Sequence, residues 1–220
     1  MWIRVTAGLL AAGLLFVASG CGDPTERIVS QLSDASATVR LAAARSLVDN
    51  PNPDERVLKG LSACVADSDA QVRFFAIQAL AKCGASARTS VPALKSALAD
   101  PEKQNRIAAA FALLRIDPSD RAFEPVLVSA MREGDGKTLL EVGQLGADGA
   151  WAVPTLVALL NHPTTQVRVL AATDLGRIGP TAASAKGALQ AALKDPNAAV
   201  KHAAQAALER IETGTGPATK

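Results

Sequence analysis

The segment Asp67–Gly84, DSDAQVRFFAIQALAKCG, is matched 95 residues later by His162–Gly179, HPTTQVRVLAATDLGRIG. Val72, Arg73, Ala76, Leu80 and Gly84 return as Val167, Arg168, Ala171, Leu175 and Gly179. Working outward from the arginine, equivalents fall at Arg40, Arg73, Arg106, Thr138, Arg168 and Lys201, spaced by 33, 33, 32, 30 and 33 residues. Seven residues after each stands a leucine: Leu47, Leu80, Leu113, Leu145, Leu175 and Leu208. Three after each stands alanine (Ala43, Ala76, Ala109, Ala171, Ala204), with Glu141 as the exception. Twelve before come Ile28, Leu61, Leu94, Val126, Leu156 and Leu189, and eight before come Leu32, Val65, Leu98, Ala130, Leu160 and Leu193.

Apolar residues four apart in the first half of each unit, and at −1, +3, +4 and +7 around the arginine in the second, follow a 3.6-residue period. Short breakers separate the halves: Asp67-Ser68-Asp69, Asp100-Pro101, His162-Pro163 and Asp195-Pro196. Asp followed by Pro suits a helix start, since the carboxylate accepts from free N–H groups and proline needs no partner for its own nitrogen. Glycines at Gly84, Gly149 and Gly179 are expected to end second helices in a left-handed conformation. Each unit is therefore a helical hairpin, too small to bury its own apolar face, and the hairpins must stack. The expected fold is all-α, a right-handed solenoid of six hairpins over residues 21–212, with a polar, disordered tail at 213–220.

These columns resemble the HEAT-repeat family, in the bacterial form also found in the phycobilisome-lyase group. The match is sharpest where an aspartate stands six residues before the arginine: Asp34 and Arg40, Asp67 and Arg73, Asp100 and Arg106, Asp195 and Lys201. The resemblance implies a ladder of hydrogen bonds between neighbouring hairpins through these residues and Arg168. Arg132 with Thr138, and His162 with Arg168, depart from the pattern.

The chain opens MWIRVTAGLLAAGLLFVASGCGD. One cation, Arg4, precedes an apolar run that ends in small residues, the layout of an export signal. The run is shorter than the roughly 20 apolar residues of a spanning helix. Ala18-Ser19-Gly20-Cys21 resembles a bacterial lipobox, with alanine where leucine is usual; the resemblance implies cleavage after residue 20 and lipid on Cys21. A plain signal peptide is the alternative. A lipidated chain would be anchored to a bacterial membrane, since each buried methylene contributes about 0.8 kcal/mol. With a formal charge of only +2 and export expected, nucleic acid is not the partner. Cys64 and Cys83 fall at opposite ends of one hairpin, on the order of 20 Å apart. A disulfide needs Cα atoms within about 7 Å, so both are read as buried free thiols.

Chemistry-bearing constellations do not emerge. His162 and His202 lie in different repeats without further metal ligands near them in sequence, and no nucleophile motif, P-loop or dinucleotide fingerprint occurs. The chain is expected to be neither an enzyme nor a cofactor carrier. What remains is surface. Positions +2, +5 and +9 on the second helices point away from the core, and the family resemblance implies that they line the concave side, giving an apolar strip with a basic edge: Phe75, Gln78, Lys82, Phe111, Arg115, Leu140, Leu170, Arg177 and Arg210. Such a rimmed strip suits a protein or peptide partner; the alternative is packing against adjacent hairpins. Repeat four is glycine-rich, and Glu141 stands in the buried alanine column with Arg132 as its expected partner, marking either a hinge or a degenerate repeat. Trp151 is expected near the start of a first helix, facing either a membrane or the preceding loop. The expected function is a membrane-anchored, protein-binding scaffold of the cell envelope. A lyase-like or ligand-handling protein and a purely structural envelope component are the alternatives.

Overall fold

The computed structural model describes residues 23–49 and 54–214. The expected export signal, Cys21 and residues 215–220 of the tail lie outside them. All regular structure among the described residues is helical, and it forms six stacked hairpins. The first helix of each hairpin is α1 (Pro24–Leu32), α3 (Glu55–Cys64), α5 (Val91–Ala97), α7 (Glu124–Arg132), α9 (Val153–Leu159) and α11 (Lys186–Ala192). The second is α2 (Ala37–Val48), α4 (Ala70–Cys83), α6 (Lys103–Ile116), α8 (Gly136–Gly143), α10 (Thr165–Ile178) and α12 (Ala198–Thr213). The last helix thus runs through Thr213, one residue past the boundary read from sequence, and is capped by left-handed Gly214.

The second helices approach one another more closely than the first helices do. In a curved stack the tighter row is the shorter arc, so they line the inner face. One junction is an exception: α6 and α8 barely approach each other.

Apolar columns form the core as the period requires. Ala43, Ala76, Ala109, Ala171 and Ala204 are buried, as are Leu61, Leu94, Leu156 and Leu189. Alanine recurs where inner helices cross because a larger side chain would force them apart. Cys64 and Cys83 are buried and free, and burial pushes the Cys64 thiol up to about 11.

Helix starts differ from expectation. The aspartates of the Asp-Pro turns stand two residues ahead of the caps: Asp100 accepts from the Glu102 amide and Asp195 from the Asn197 amide, each at 2.8 Å. The caps follow, as at Asp69, which accepts from Gln71 and Val72, and Asn197, which accepts from Ala199. His162 serves in place of the aspartate in repeat five, its Nδ1 accepting from the Thr164 amide at 3.1 Å.

The ladder is a guanidinium bridge. Arg40 donates through Nη1 to the Asp34 and Ala35 carbonyls of its own turn, and through Nε and Nη2 to both oxygens of Asp67 in the next repeat. Arg73 joins Asp67 and Ser68 carbonyls to Asp100 in the same way, and Arg168 joins the His162 turn to Asp195. Asp34 enters through its carbonyl, its carboxylate being taken by the Ser36 amide, and Lys201 on the last rung is exposed. Arg106 reaches only the Asp100 and Pro101 carbonyls. The ladder breaks there, and an exposed Lys103–Glu133 pair at 2.6 Å takes its place.

Repeat four sits one residue later than the columns suggested. Leu127, Met131, Thr138, Leu139 and Val142 are the fully buried residues, in the places of Leu94, Leu98, Asn105, Arg106 and Ala109. Leu139 rather than Thr138 therefore holds the arginine position, and no cation is available there. The helix then ends early: α8 has 8 residues where α4, α6 and α10 have 14. The positive-φ glycine that ends this unit is Gly146 (φ 56°), matching Gly84 and Gly179; Gly149 is instead buried inside the following 3₁₀ turn.

Candidate functional site

The open α6–α8 junction makes a groove of about 490 Å³ on the inner face. Its near wall is α4, with Phe74, Gln78, Ala81 and Lys82; its floor is α6, with Gln104, Ile107, Ala108, Phe111 and Arg115; its far wall is α8, with Lys137, Thr138, Glu141 and Gln144. Each contribution follows from helical phase. Residues at +1 and +5 from the ladder arginine on α4 face forward, and those at −1 and +2 from Leu139 on α8 face back. The early end of α8 removes the side chains that would close the far wall. Two flanking recesses continue along the row. One holds Arg45, Gln71, Phe74 and Phe75; the other holds Val169, Thr173, Ala203 and Arg210.

The groove's charges are sparsely paired. Glu141 is the carboxylate nearest Arg115 and Lys137 and lies 3.9 Å from each, too far to hydrogen-bond either. The other acidic lining residue, Asp135, is occupied: its carboxylate caps α8 by accepting from Thr138 N at 2.9 Å. Lys82 is exposed and has no carboxylate within salt-bridge distance among the described residues.

Placed against this geometry, the residues expected on the concave strip divide. Gln78, Lys82, Phe111 and Arg115 line the central groove and Arg210 lines a flanking recess. Phe111 is only 6% exposed, however, and is a floor rather than a projecting anchor. Phe75 turns away from the groove, half-buried under the Arg45 guanidinium at 5.6 Å and against Phe74 at 5.5 Å. Leu140, 43% exposed, is the exposed large hydrophobic side chain among the described residues. Leu170 is half-buried and packs toward Gly136, and Arg177 is held at 3.3 Å from Asp174. The expected Glu141–Arg132 pair does not form. Arg132 is exposed at the end of α7, and Glu141 faces the groove because Val142 takes the buried place. Trp151 is half-buried and packs edge-on at 5.4 Å against Phe123, in the short turn that precedes α7, so its partner is the preceding repeat and not the preceding loop.

Sequence reasoning missed Phe74, Gln104, Ile107, Lys137 and Gln144. The signal that finds them is the offset: inner-face positions lie at −2 (Gln104, Lys137) and +1 (Phe74, Ile107) as well as +2 and +5, with Gln144 at +5 once Leu139 is taken as the reference. It also missed Asp174, which is fully buried where α10 meets α8. A Cβ on Gly143 would come within 1.9 Å of Asp174 Oδ1, so glycine makes room for it. Its Oδ2 has no partner, and burial pushes the carboxyl up to about 7 against the opposing pull of Arg177.

No group of side chains among the described residues is arranged to hold a metal ion, and no described helix is long and apolar enough to cross a membrane. No curated protein matches the chain in sequence. Similar solved structures include an engineered protein at 23% identity (TM-score 0.58, covering 89% of this chain and 99% of that one). A computationally designed armadillo repeat protein for modular peptide recognition is 18% identical (TM-score 0.51, 84% and 98%). The complex of CpcE and CpcF of phycocyanin lyase from Nostoc sp. PCC7120 is 21% identical (TM-score 0.54, 94% and 82%). A family model for HEAT repeats matches residues 25–114 and 153–219, and it skips the shortened repeat four. The matched segments take in well over half the sequence, and the stacked hairpins with their guanidinium ladder agree: the chain belongs to the HEAT-repeat family.

Proposed function

We propose that the protein is a non-catalytic binding scaffold that holds an extended segment of a partner protein along its inner face. The observation that carries this reading is the groove across α4, α6 and α8. It is lined by apolar Ile107 and Phe111, by the amide side chains Gln78, Gln104 and Gln144, and by the cations Lys82, Arg115 and Lys137. Apolar centres with polar rims suit protein contacts, and side-chain amides can both donate to and accept from a peptide main chain. The similar designed armadillo protein is one made for peptide recognition, and CpcE is found in complex with CpcF. We further propose that lipid on Cys21 tethers the scaffold to a bacterial membrane within the cell envelope, on the strength of the Ala18–Cys21 pattern.

The test is photo-crosslinking in native membranes, wild type against Phe74→Glu, with circular dichroism to confirm that both fold. Phe74 is half-exposed and lines two recesses, so a charge there spoils the groove without entering the core. A partner captured by the wild type and lost by the variant supports the reading; equal capture by both would remove it. For the anchor, labelled palmitate should enter the wild type and not Cys21→Ala.

A further inference from the structure

The proposed groove is not neutral toward its occupant. Three cations stand around it on three different helices, Lys82 on α4, Arg115 on α6 and Lys137 on α8. Glu141 faces two of them and at 3.9 Å hydrogen-bonds neither. It holds a place that a better-set carboxylate would fill. Arg115 and Lys137 therefore share one carboxylate-sized place, while Lys82 on the opposite wall has no carboxylate within salt-bridge distance among the described residues. A single carboxylate can meet the first pair; a chain that carries several can meet all three. Between the cations lies an apolar floor, which offers nothing to a bare polyanion but suits aliphatic or aromatic side chains.

Resting on the reading of this groove as the binding site, we propose that its occupant is an extended acidic peptide, with one carboxylate taking the place of Glu141 between Arg115 and Lys137, another meeting Lys82, and apolar side chains between them on Ile107 and Phe111. The partner protein would present this stretch as a loop or terminus free of its own secondary structure. Glu141 then acts as an internal competitor that the incoming carboxylates displace.

The experiment selects peptides of about 12 residues, long enough to cross four rungs, from a random display library against the full chain in mild detergent. Binding of the selected peptides is then measured by fluorescence anisotropy. Expected are sequences enriched in Asp and Glu, with apolar residues between them. Their Asn/Gln counterparts should bind about tenfold more weakly, and binding should weaken with salt. Glu141→Gln should tighten binding about threefold, and Lys82→Glu with Lys137→Glu should weaken it and flatten the salt dependence. A merely structural Glu141 predicts no tightening. Selected peptides without acidic enrichment would overturn the acidic partner and leave the groove as a binding site. Sodium polyphosphate competing as well as the peptide, charge for charge, would overturn the peptide in favour of a general polyanion site. Selection of nothing, or of peptides indifferent to Phe74→Glu, would remove the groove itself.

Discussion

Asp174 is a carboxyl group enclosed by protein, with Arg177 at 3.3 Å from one oxygen and nothing on the other. Its pKa of about 7 in the fold lies above the ~3.9 of an unfolded chain. The folded state therefore holds the proton more tightly. The fold is unburdened by this group below about pH 4, is progressively weakened as pH rises toward 7, and stays weakened above that. Asp174→Ala restores the alanine found at Ala79, Ala112 and Ala207 and should stabilise the protein at pH 8 by on the order of 2–3 kcal/mol, with little gain at pH 4. Thermal melts at the two pH values check this. Gly143→Ala puts a methyl into Asp174 and should cost about 1–3 kcal/mol. In the Asp174→Ala background that cost should largely vanish, which a double-mutant cycle in urea would read. Neither residue announces the other in the sequence. Their contact depends on two helices meeting 31 positions apart along the chain, and Asp at an inner position reads as solvated until the neighbouring helix is known.

Among the elements, the ladder separates rungs of unequal worth. Arg73 donates to both oxygens of Asp100, whose side chain is 3% exposed. Removing the guanidinium leaves that carboxylate buried and unpaired, so Arg73→Ala should cost about 3 kcal/mol. Arg106 has only the two carbonyls of its turn, and Arg106→Ala should cost about 1 kcal/mol. Urea denaturation of the pair discriminates them. Acid acts on the same bonds. Arg40 holds Asp67 below the usual carboxylate range and Arg168 does so for Asp195; at Asp100 burial pushes upward but Arg73 and the Glu102 amide outweigh it. Depressed acids stabilise the fold above about pH 4 and lose that contribution as pH falls through their folded values. An acid titration should therefore show Asp67→Asn flattening the loss of stability below about pH 4. Most of this element-level order is legible in the sequence, because arginine, alanine and leucine recur at fixed spacing wherever one hairpin forms the next one's core. It fails in repeat four for a physical reason. With Leu139 in the arginine position and a turn missing from α8, the best residue match slips by one, so Glu141 reads as core and Gln144 goes unseen as a groove wall.

At the scale of the molecule, the stack is tight on either side of repeat four and loose within it. The ladder is absent at Arg106 and again where Leu139 and His162 replace the pair, and α6 and α8 scarcely meet. Local opening follows the density of packing, so amides of α8 should exchange hydrogen faster than those of α6 and α10, measured by exchange with mass spectrometry. Equal protection across the three helices would show that the junction is as firm as its neighbours. The shortening of α8 also has a consequence of phase. Between the Asp69 and Gly84 landmarks of repeat two and the matching Asp135 and Gly146 of repeat four, the chain is four residues shorter. Four residues of α-helix turn through about 400°, only about 40° more than a full revolution. The residues beyond the gap thus still point the way their counterparts do in every other hairpin, and the next repeat stacks as if nothing had been lost. A deletion of two residues would have turned them to the opposite side. An array of this kind can open a notch in its inner wall anywhere along its length, provided it does so in whole turns.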